Sequence, residues 1–278
     1  MTNTGIHVTG IFTYPIKSCG GLSHDSLHLI ARGFAHDRQW MIVSDEDGEQ
    51  GEFITQREFP RMSLIQPAIN GDSLIITAPN AGSICVPLVQ AKPADRDVVI
   101  WGDTCRAVDE GDLAAEWVSQ FLGAKLRLVR IDDHFQRPVS MQYTDQPSQT
   151  GFSDGYPILL IGEESLADLN AHLQARGKST VPMNRFRPNI VIKGAAAFAE
   201  DTWKWINVGG IRMEVAKPCG RCVMTTVNQS TGIADLKEPL ATIASYRTRS
   251  GKAMFGQNVI HRALGTISVG AEVSVLIN

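Results

Sequence analysis

The chemistry in this chain gathers at a Cys-x-x-Cys pair, Cys219-Gly-Arg-Cys222, within the run Val215-Ala-Lys-Pro-Cys-Gly-Arg-Cys-Val-Met-Thr-Thr-Val227. As a zinc half-site the pair needs two further ligands at close spacing, yet Cys19, Cys85 and Cys105 stand alone. As a dithiol redox pair it must open a helix, whose N-terminus lowers the first thiol's pKa, but Val223 to Val227 reads as a strand. Buried, inert thiols are a third reading, because free cysteine is among the most buried residue types. Arg221, between the thiols, weighs against inertness, since a guanidinium there favours a thiolate or holds an anion. A soft thiolate on a short turn suits a metal whose remaining ligands come from a cofactor.

Other polar residues point the same way. Thr13-Tyr-Pro-Ile-Lys-Ser-Cys-Gly-Gly21 sets Lys17 and Ser18 after a strand and before two glycines, which suggests an anion site, although the spacing is not that of a P-loop. In Arg185-Phe-Arg-Pro-Asn189, Pro188 disfavours helical backbone at Arg187. Arg187 and Asn189 then flank an extended turn suited to an oxyanion contact and an amide contact to a heterocycle. Arg38, in His36-Asp-Arg-Gln-Trp40, and Arg57, in Thr55-Gln-Arg57, adjoin β-type residues, where ion pairing is the plain explanation. Ser153-Asp-Gly155 and Phe255-Gly-Gln-Asn258 place Ser153, Asp154 and Asn258 at turns beside strands. The set offers cations for phosphate, Asp and Asn groups for a pterin, and one exposed thiolate. Ser/His/Asp spacing, His-Glu-x-x-His and Gly-x-Gly-x-x-Gly are absent. No general acid is singled out: His36 adjoins a motif, but a lone histidine is more often structural.

Elements must hold these residues, and the first hundred positions supply short β-type runs: Ile6 to Tyr14, Gln39 to Ser44, Ser73 to Thr77 and Asp97 to Trp101. Turns at Asp45-Glu-Asp-Gly48 and Asn70-Gly-Asp72 separate them. Asp112 to Gly123 reads as an amphipathic helix with Leu113, Trp117, Phe121 and Leu122 on one face. From Asp132 to Gly155 a stretch without period reads as a long loop or the seam between two parts. The strand Tyr156 to Ile161 and the helix Glu163 to Leu173, with Leu166, Leu169 and Leu173 aligned, come next. Strands follow at Ile190 to Ile192, Ile211 to Val215, Val223 to Val227 and Thr266 to Leu276, a pattern favouring closed or strongly curved β structure over a parallel βαβ series.

With 278 residues, 43% hydrophobic and 20% charged, the chain can bury one large core or two modest ones. The net charge of -3 argues against a general nucleic-acid or anionic-membrane binder. Met1 to Val8 lacks a secretory pattern and no apolar run approaches a membrane span, so the expectation is a cytoplasmic protein without membrane attachment. Five cysteines, odd and sparse, do not form a disulfide framework.

Tyr14-Pro-Ile-Lys-Ser18, Asp37-Arg-Gln-Trp40, Phe152-Ser-Asp-Gly155, Phe186-Arg-Pro-Asn189, Pro218-Cys-Gly-Arg-Cys222 and Phe255-Gly-Gln-Asn258 resemble, in order, the signatures of the MOSC proteins. Within them the resemblance is to the mitochondrial amidoxime reducing component and its bacterial relatives. It implies an α+β, β-rich fold: a β-barrel-like N-terminal MOSC domain (1–130), and a MOSC β-barrel domain (131–278) carrying the metal-ligand cysteine, with a few amphipathic helices. It also implies a molybdopterin-type molybdenum cofactor at the junction. Cys222 would be the metal ligand and catalytic residue, with cofactor contacts from Lys17, Ser18, Arg38, Ser153, Asp154, Arg187, Asn189, Arg221 and Asn258. The implied reaction reduces a small N-hydroxylated substrate, such as an amidoxime or hydroxylamino base analogue, to the amine and water. The ferredoxin-like domain of the longer bacterial relatives has no counterpart before Asn278. Electrons are therefore expected from a separate ferredoxin-, flavodoxin- or cytochrome-type protein with its reductase. A cysteine of the animal members falls on Ala195, so no role carries over there. The alternative is a sulfur or cofactor carrier with a persulfide on Cys222; a β-rich binding module with structural thiols is a third possibility.

Overall fold

Runs of β-branched and aromatic residues, broken by turns of Gly, Asn and Asp, fold as strands because such side chains suit a pleated, half-buried surface. In the computed structural model, which describes residues 5–89, 94–132, 134–235 and 237–276, they form four sheets with three α-helices against them. Residues 1–4, part of the reading for a leader, and Asp133 in the expected seam lie outside the described residues. The α+β, β-rich class expected from the sequence holds.

The largest sheet runs in the order Val273–Leu276, Trp205–Val208, Ile211–Gly220, Lys252–His261, Ile158–Gly162, Ile190–Lys193, His7–Thr13 and Leu22–His24. Its first strand approaches the next-to-last, His7–Thr13: His7 bridges Glu272, and Val8 N donates to Ala271 O at 2.9 Å while Val273 N donates to Ile6 O at 2.8 Å. Closure is thus by a short contact and not by a full ladder. Val8, Ile11, Leu160, Ile190, Ile206, Met213 and Val259 fill the interior. On the other face, α2 (Glu163–Ala175) and α3 (Leu240–Arg247) bring Leu169, Leu173 and Ile243 against Ile161, Phe186 and Phe255.

Several sequence expectations are corrected. Ile158–Gly162 pairs in parallel with Ile190–Lys193 through the crossover helix α2, so the sheet contains one βαβ unit despite its curvature. Val223–Thr226 is a single 3-10 turn and not a strand. The Thr225 and Thr226 hydroxyls donate to the carbonyls three residues back, at 3.0 and 2.8 Å, which favours a turn over an extended run. Thr266 to Leu276 divides into Gly265–Ser268 and Val273–Leu276, and the first of these pairs with Ser26–Ile30 in a different sheet. The helix α3 spaces its apolar residues with no strong period, and the sequence pattern did not mark it.

In the N-terminal half, Trp40–Ser44, Leu126–Arg130, Asp103–Asp109 and Ala94–Ile100 form an antiparallel sheet. The helix α1 (Asp112–Leu122) ends at Gly123 in left-handed backbone, whose N–H donates to Ser119 O, as a helix-stopping glycine does. Its buried stripe is Ala114, Trp117, Val118 and Phe121; Leu113, expected on that face, is 81% exposed. The i, i+3, i+4, i+7 set starting at Ala114 turns Leu113 outward.

Two devices aim the fold at one end. The expected seam is pinned by Arg137, whose Nη1 donates to Gly151 O at 3.2 Å and Ser153 O at 2.5 Å, and whose Nε pairs with Asp103 at 3.1 Å. Gly256 lies at φ 78° inside the strand Lys252–His261, and a Cβ there would stand 2.7 Å from Ile161 Cγ1 and 3.0 Å from Leu160 O. Gly256→Ala is expected to destabilise the protein by about 1–3 kcal/mol through backbone strain alone, with the clash adding to it. A urea midpoint equal to wild type would contradict this.

Candidate functional site

All ten residues singled out from the sequence, Lys17, Ser18, Arg38, Ser153, Asp154, Arg187, Asn189, Arg221, Cys222 and Asn258, line one cavity. All but Asn258 stand at a strand end or in the turn beside it; Asn258, expected at a turn, lies inside the strand Lys252–His261, opposite Leu159 and Lys217. After the strand His7–Thr13, Ile16 bridges Trp40 and Lys17 N donates to Trp40 O at 2.8 Å, which fixes the Lys17-Ser18 turn against the N-terminal sheet. Ser18, Arg38 and Arg187 have φ of 65°, 45° and 56°. Left-handed backbone costs a non-glycine residue about 1–3 kcal/mol and collects at ligand clamps.

Charge dominates the lining. Five cations (Lys17, Arg38, Arg185, Arg187, Arg221) face the single carboxylate of Asp154. Lys17 is buried, pairs with Asp154 at 2.6 Å and lies 5.4 Å from the Phe53 ring centroid. Burial pushes its ammonium below the ordinary range, and Asp154 opposes that. Arg38 pairs with Asp37 at 2.6 Å and donates to Asn189 Oδ1 at 3.0 Å. Arg187 donates to Cys19 O at 2.5 Å, and burial lowers its pKa to about 10.

Tyr14 was missed as a site residue. Its ring contacts both guanidinium groups, Arg38 at 4.4 Å and Arg187 at 4.1 Å, and its hydroxyl donates to Pro188 O at 3.1 Å. Burial raises that phenol to about 12, although both arginines pull it down. A tyrosine next to proline carries no mark in sequence that would announce this role. Arg185, Tyr156 and Met224 also line the cavity without a pattern to single them out. His36 is not among the lining residues; its Nδ1 is 3.2 Å from Gln39 Oε1 and its ring stacks on Trp40, a structural setting.

The two thiols differ. Cys219 packs against the Phe186 and Phe255 cluster and accepts from Arg221 Nη1 at 3.1 Å. Arg221 Nη2 donates to Phe186 O at 2.7 Å. Cys222, half-buried, stands just before the 3-10 turn with extended backbone. Among the described residues, no three His, Cys, Asp or Glu side chains gather to hold a metal.

Three buried polar atoms at the cavity have no partner: Ser18 Oγ, Arg187 Nη2 and Arg221 Nε. Buried donors are nearly always satisfied in native proteins, so these three call for an anionic, acceptor-rich ligand. A molybdopterin-type group, with phosphate and pterin acceptors and a metal open to a soft thiolate, fits that donor set. Asn189 and Ser153 contribute differently from expectation. Asn189 Oδ1 accepts from Arg38 and Leu159 N, and its Nδ2 donates to Phe12 O; the Ser153 hydroxyl donates to Tyr156 O at 2.8 Å. Both hold protein groups in place while they line the cavity. Asn258 Nδ2 donates weakly to Pro218 O at 3.4 Å. No helix of the described residues is long and apolar enough to cross a membrane.

Known proteins resemble this chain over most of its length. Residues 5–125 match the MOSC N-terminal beta barrel domain and residues 147–274 the MOSC domain. Mitochondrial amidoxime-reducing component 1 of Mus musculus is 36% identical, with 97% of this chain and 82% of the relative covered. The Homo sapiens protein of that name is 34% identical, with 97% and 82% covered. A molybdenum cofactor sulfurase of Oryza sativa subsp. japonica is 33% identical, with 90% of this chain but 32% of the relative covered. These relatives overturn one expectation: a cytoplasmic location, taken from the lack of a secretory pattern, does not stand beside similar proteins that are mitochondrial by name. A secretory pattern tests for export only, so its lack could not decide between compartments inside the cell.

Proposed function

This chain belongs to the MOSC family, whose named relatives tie it to a molybdenum-cofactor-related function, and from that premise we propose that it is a molybdenum-dependent reductase of N-hydroxylated compounds with Cys222 as the protein's metal ligand. The observation that carries the reading is one cavity that gathers two thiols, five cations and three unpartnered buried donors. The names of the amidoxime-reducing relatives support the substrate class.

When bound, the cofactor supplies a metal that can take oxygen from nitrogen and pass two electrons. The net change is that an N-hydroxyl compound, two electrons and two protons become an amine and water. The protein's part is binding and orientation. Arg187, Arg221 and Ser18, whose buried donors lack protein partners, would hold the cofactor's anionic acceptors with charge-assisted hydrogen bonds. Lys17, tied to Asp154, keeps one cation fixed beside them, and the Tyr14 ring stacks Arg38 and Arg187 at the cavity.

A second reading, a sulfur or cofactor carrier, is favoured by the sulfurase among the relatives and by the half-buried thiol of Cys222. Turnover of benzamidoxime to benzamidine with a low-potential donor separates the two. Activity that requires Cys222 supports the reductase; a loaded protein that lacks activity and releases sulfane sulfur from Cys222 supports the carrier.

A further inference from the structure

Arg57 is an arginine for which the sequence suggested only an ion pair, and no ion pair of the described residues holds it, although its charge acts on Asp154. Its Nη2 instead donates to Cys222 Sγ at 3.4 Å, and its guanidinium lies 4.7 Å from the centroid of the Trp101 ring. Trp101 is itself held. Its indole N–H donates to Asp154 Oδ1 at 3.2 Å and its ring tilts against Phe53 at 4.8 Å. Its backbone sits at φ 55°, a conformation that persists only where the surroundings impose it. Asp154 pairs with Lys17. A line of contacts therefore runs from Lys17 through Asp154, Trp101 and Arg57 to the thiol.

We propose that Arg57 is a positioning residue for the Cys222 sulfur: held over the Trp101 ring, it donates an N–H to Sγ, fixes the sulfur's orientation and draws charge from it. Neither Arg57 nor Trp101 belongs to the set implied by the family's signatures. The role rests on the reductase reading, since the hydrogen bond acts on a metal only if Cys222 is its ligand. Partners that hydrogen-bond a metal ligand orient it and tune the metal. A donor to a ligating sulfur weakens its electron donation and favours the reduced metal. Stacking makes the guanidinium rigid, which a lysine in its place could not reproduce.

The test uses the loaded protein and its Arg57→Gln, Arg57→Lys and Trp101→Leu variants, read by molybdenum content, by the EPR spectrum of the bound metal and by its midpoint potential. Arg57→Gln is expected to change the spectrum, lower the potential and reduce turnover by about 10–100-fold. Arg57→Lys recovers only part of each readout, and Trp101→Leu moves all of them the same way by a smaller amount. A loaded Arg57→Gln protein with wild-type spectrum and potential overturns the proposal. If that variant does not fold, a wild-type spectrum and potential in Trp101→Leu does so. A wild-type protein without molybdenum fails the reductase reading first and takes the role of Arg57 with it, so metal content tells the two failures apart.

Discussion

Cys222→Ala is expected to strip the protein of molybdenum and of benzamidoxime turnover while leaving its fold intact. The half-buried sulfur of Cys222 belongs to none of the apolar clusters, so its removal leaves no core cavity. A metal centre contributes several kcal/mol to the transition state, so losing it lowers turnover by about a thousandfold or more. Cys222→Ser is expected to be nearly as damaging, because a hard hydroxyl is a poor substitute for a soft thiolate. Cys219→Ala gives the contrast: it loses packing against Phe186 and Phe255 and one contact with Arg221, and keeps its metal. Parallel metal analysis and thermal melts on the three variants check this. Equal metal in Cys222→Ala and wild type would remove Cys222 from the ligand set.

Asn189→Leu is expected to be the most destabilising single change at the site. Asn189 is 1% exposed, and its side chain meets Arg38 Nη1 at 3.0 Å, Leu159 N at 3.1 Å and Phe12 O at 3.0 Å. One amide thus joins the strands His7–Thr13 and Ile158–Gly162 to an arginine of the cavity. Leucine matches its shape and supplies no hydrogen bond, so buried groups lose their partners at about 1–3 kcal/mol each. The summed loss, about 3–9 kcal/mol for the three groups, is a large share of a typical folding free energy of about 5–15 kcal/mol. Equilibrium urea unfolding measures it. A midpoint within error of wild type, with cofactor content reduced, would show instead that Asn189 acts chiefly on the ligand.

The site was legible because its residues sit where chain geometry leaves marks in sequence. Lys17 and Ser18 precede glycines, Arg187 and Asn189 flank a proline, and Cys222 closes a Cys-x-x-Cys pair. What escaped notice depends on distant contacts. Arg137 holds Ser153 and Asp154 by donating to main-chain carbonyls, and no local pattern announces a partner that is a carbonyl. Tyr14 acquires its place from two arginines distant from it in the chain. Val223 to Val227 looked extended because β-branched residues fill it, yet threonine hydroxyls bonding back to the main chain close it into a turn. The parallel pair around α2 was hidden because periodicity identifies strands but not their direction.

On the reading proposed here, Cys222 holds the molybdenum of a bound cofactor. Elemental analysis of wild-type protein, purified from a host that makes the cofactor, tests it most directly. A stoichiometric amount of molybdenum, lost in Cys222→Ala, is the predicted result; wild-type protein that folds normally and carries no molybdenum would contradict it.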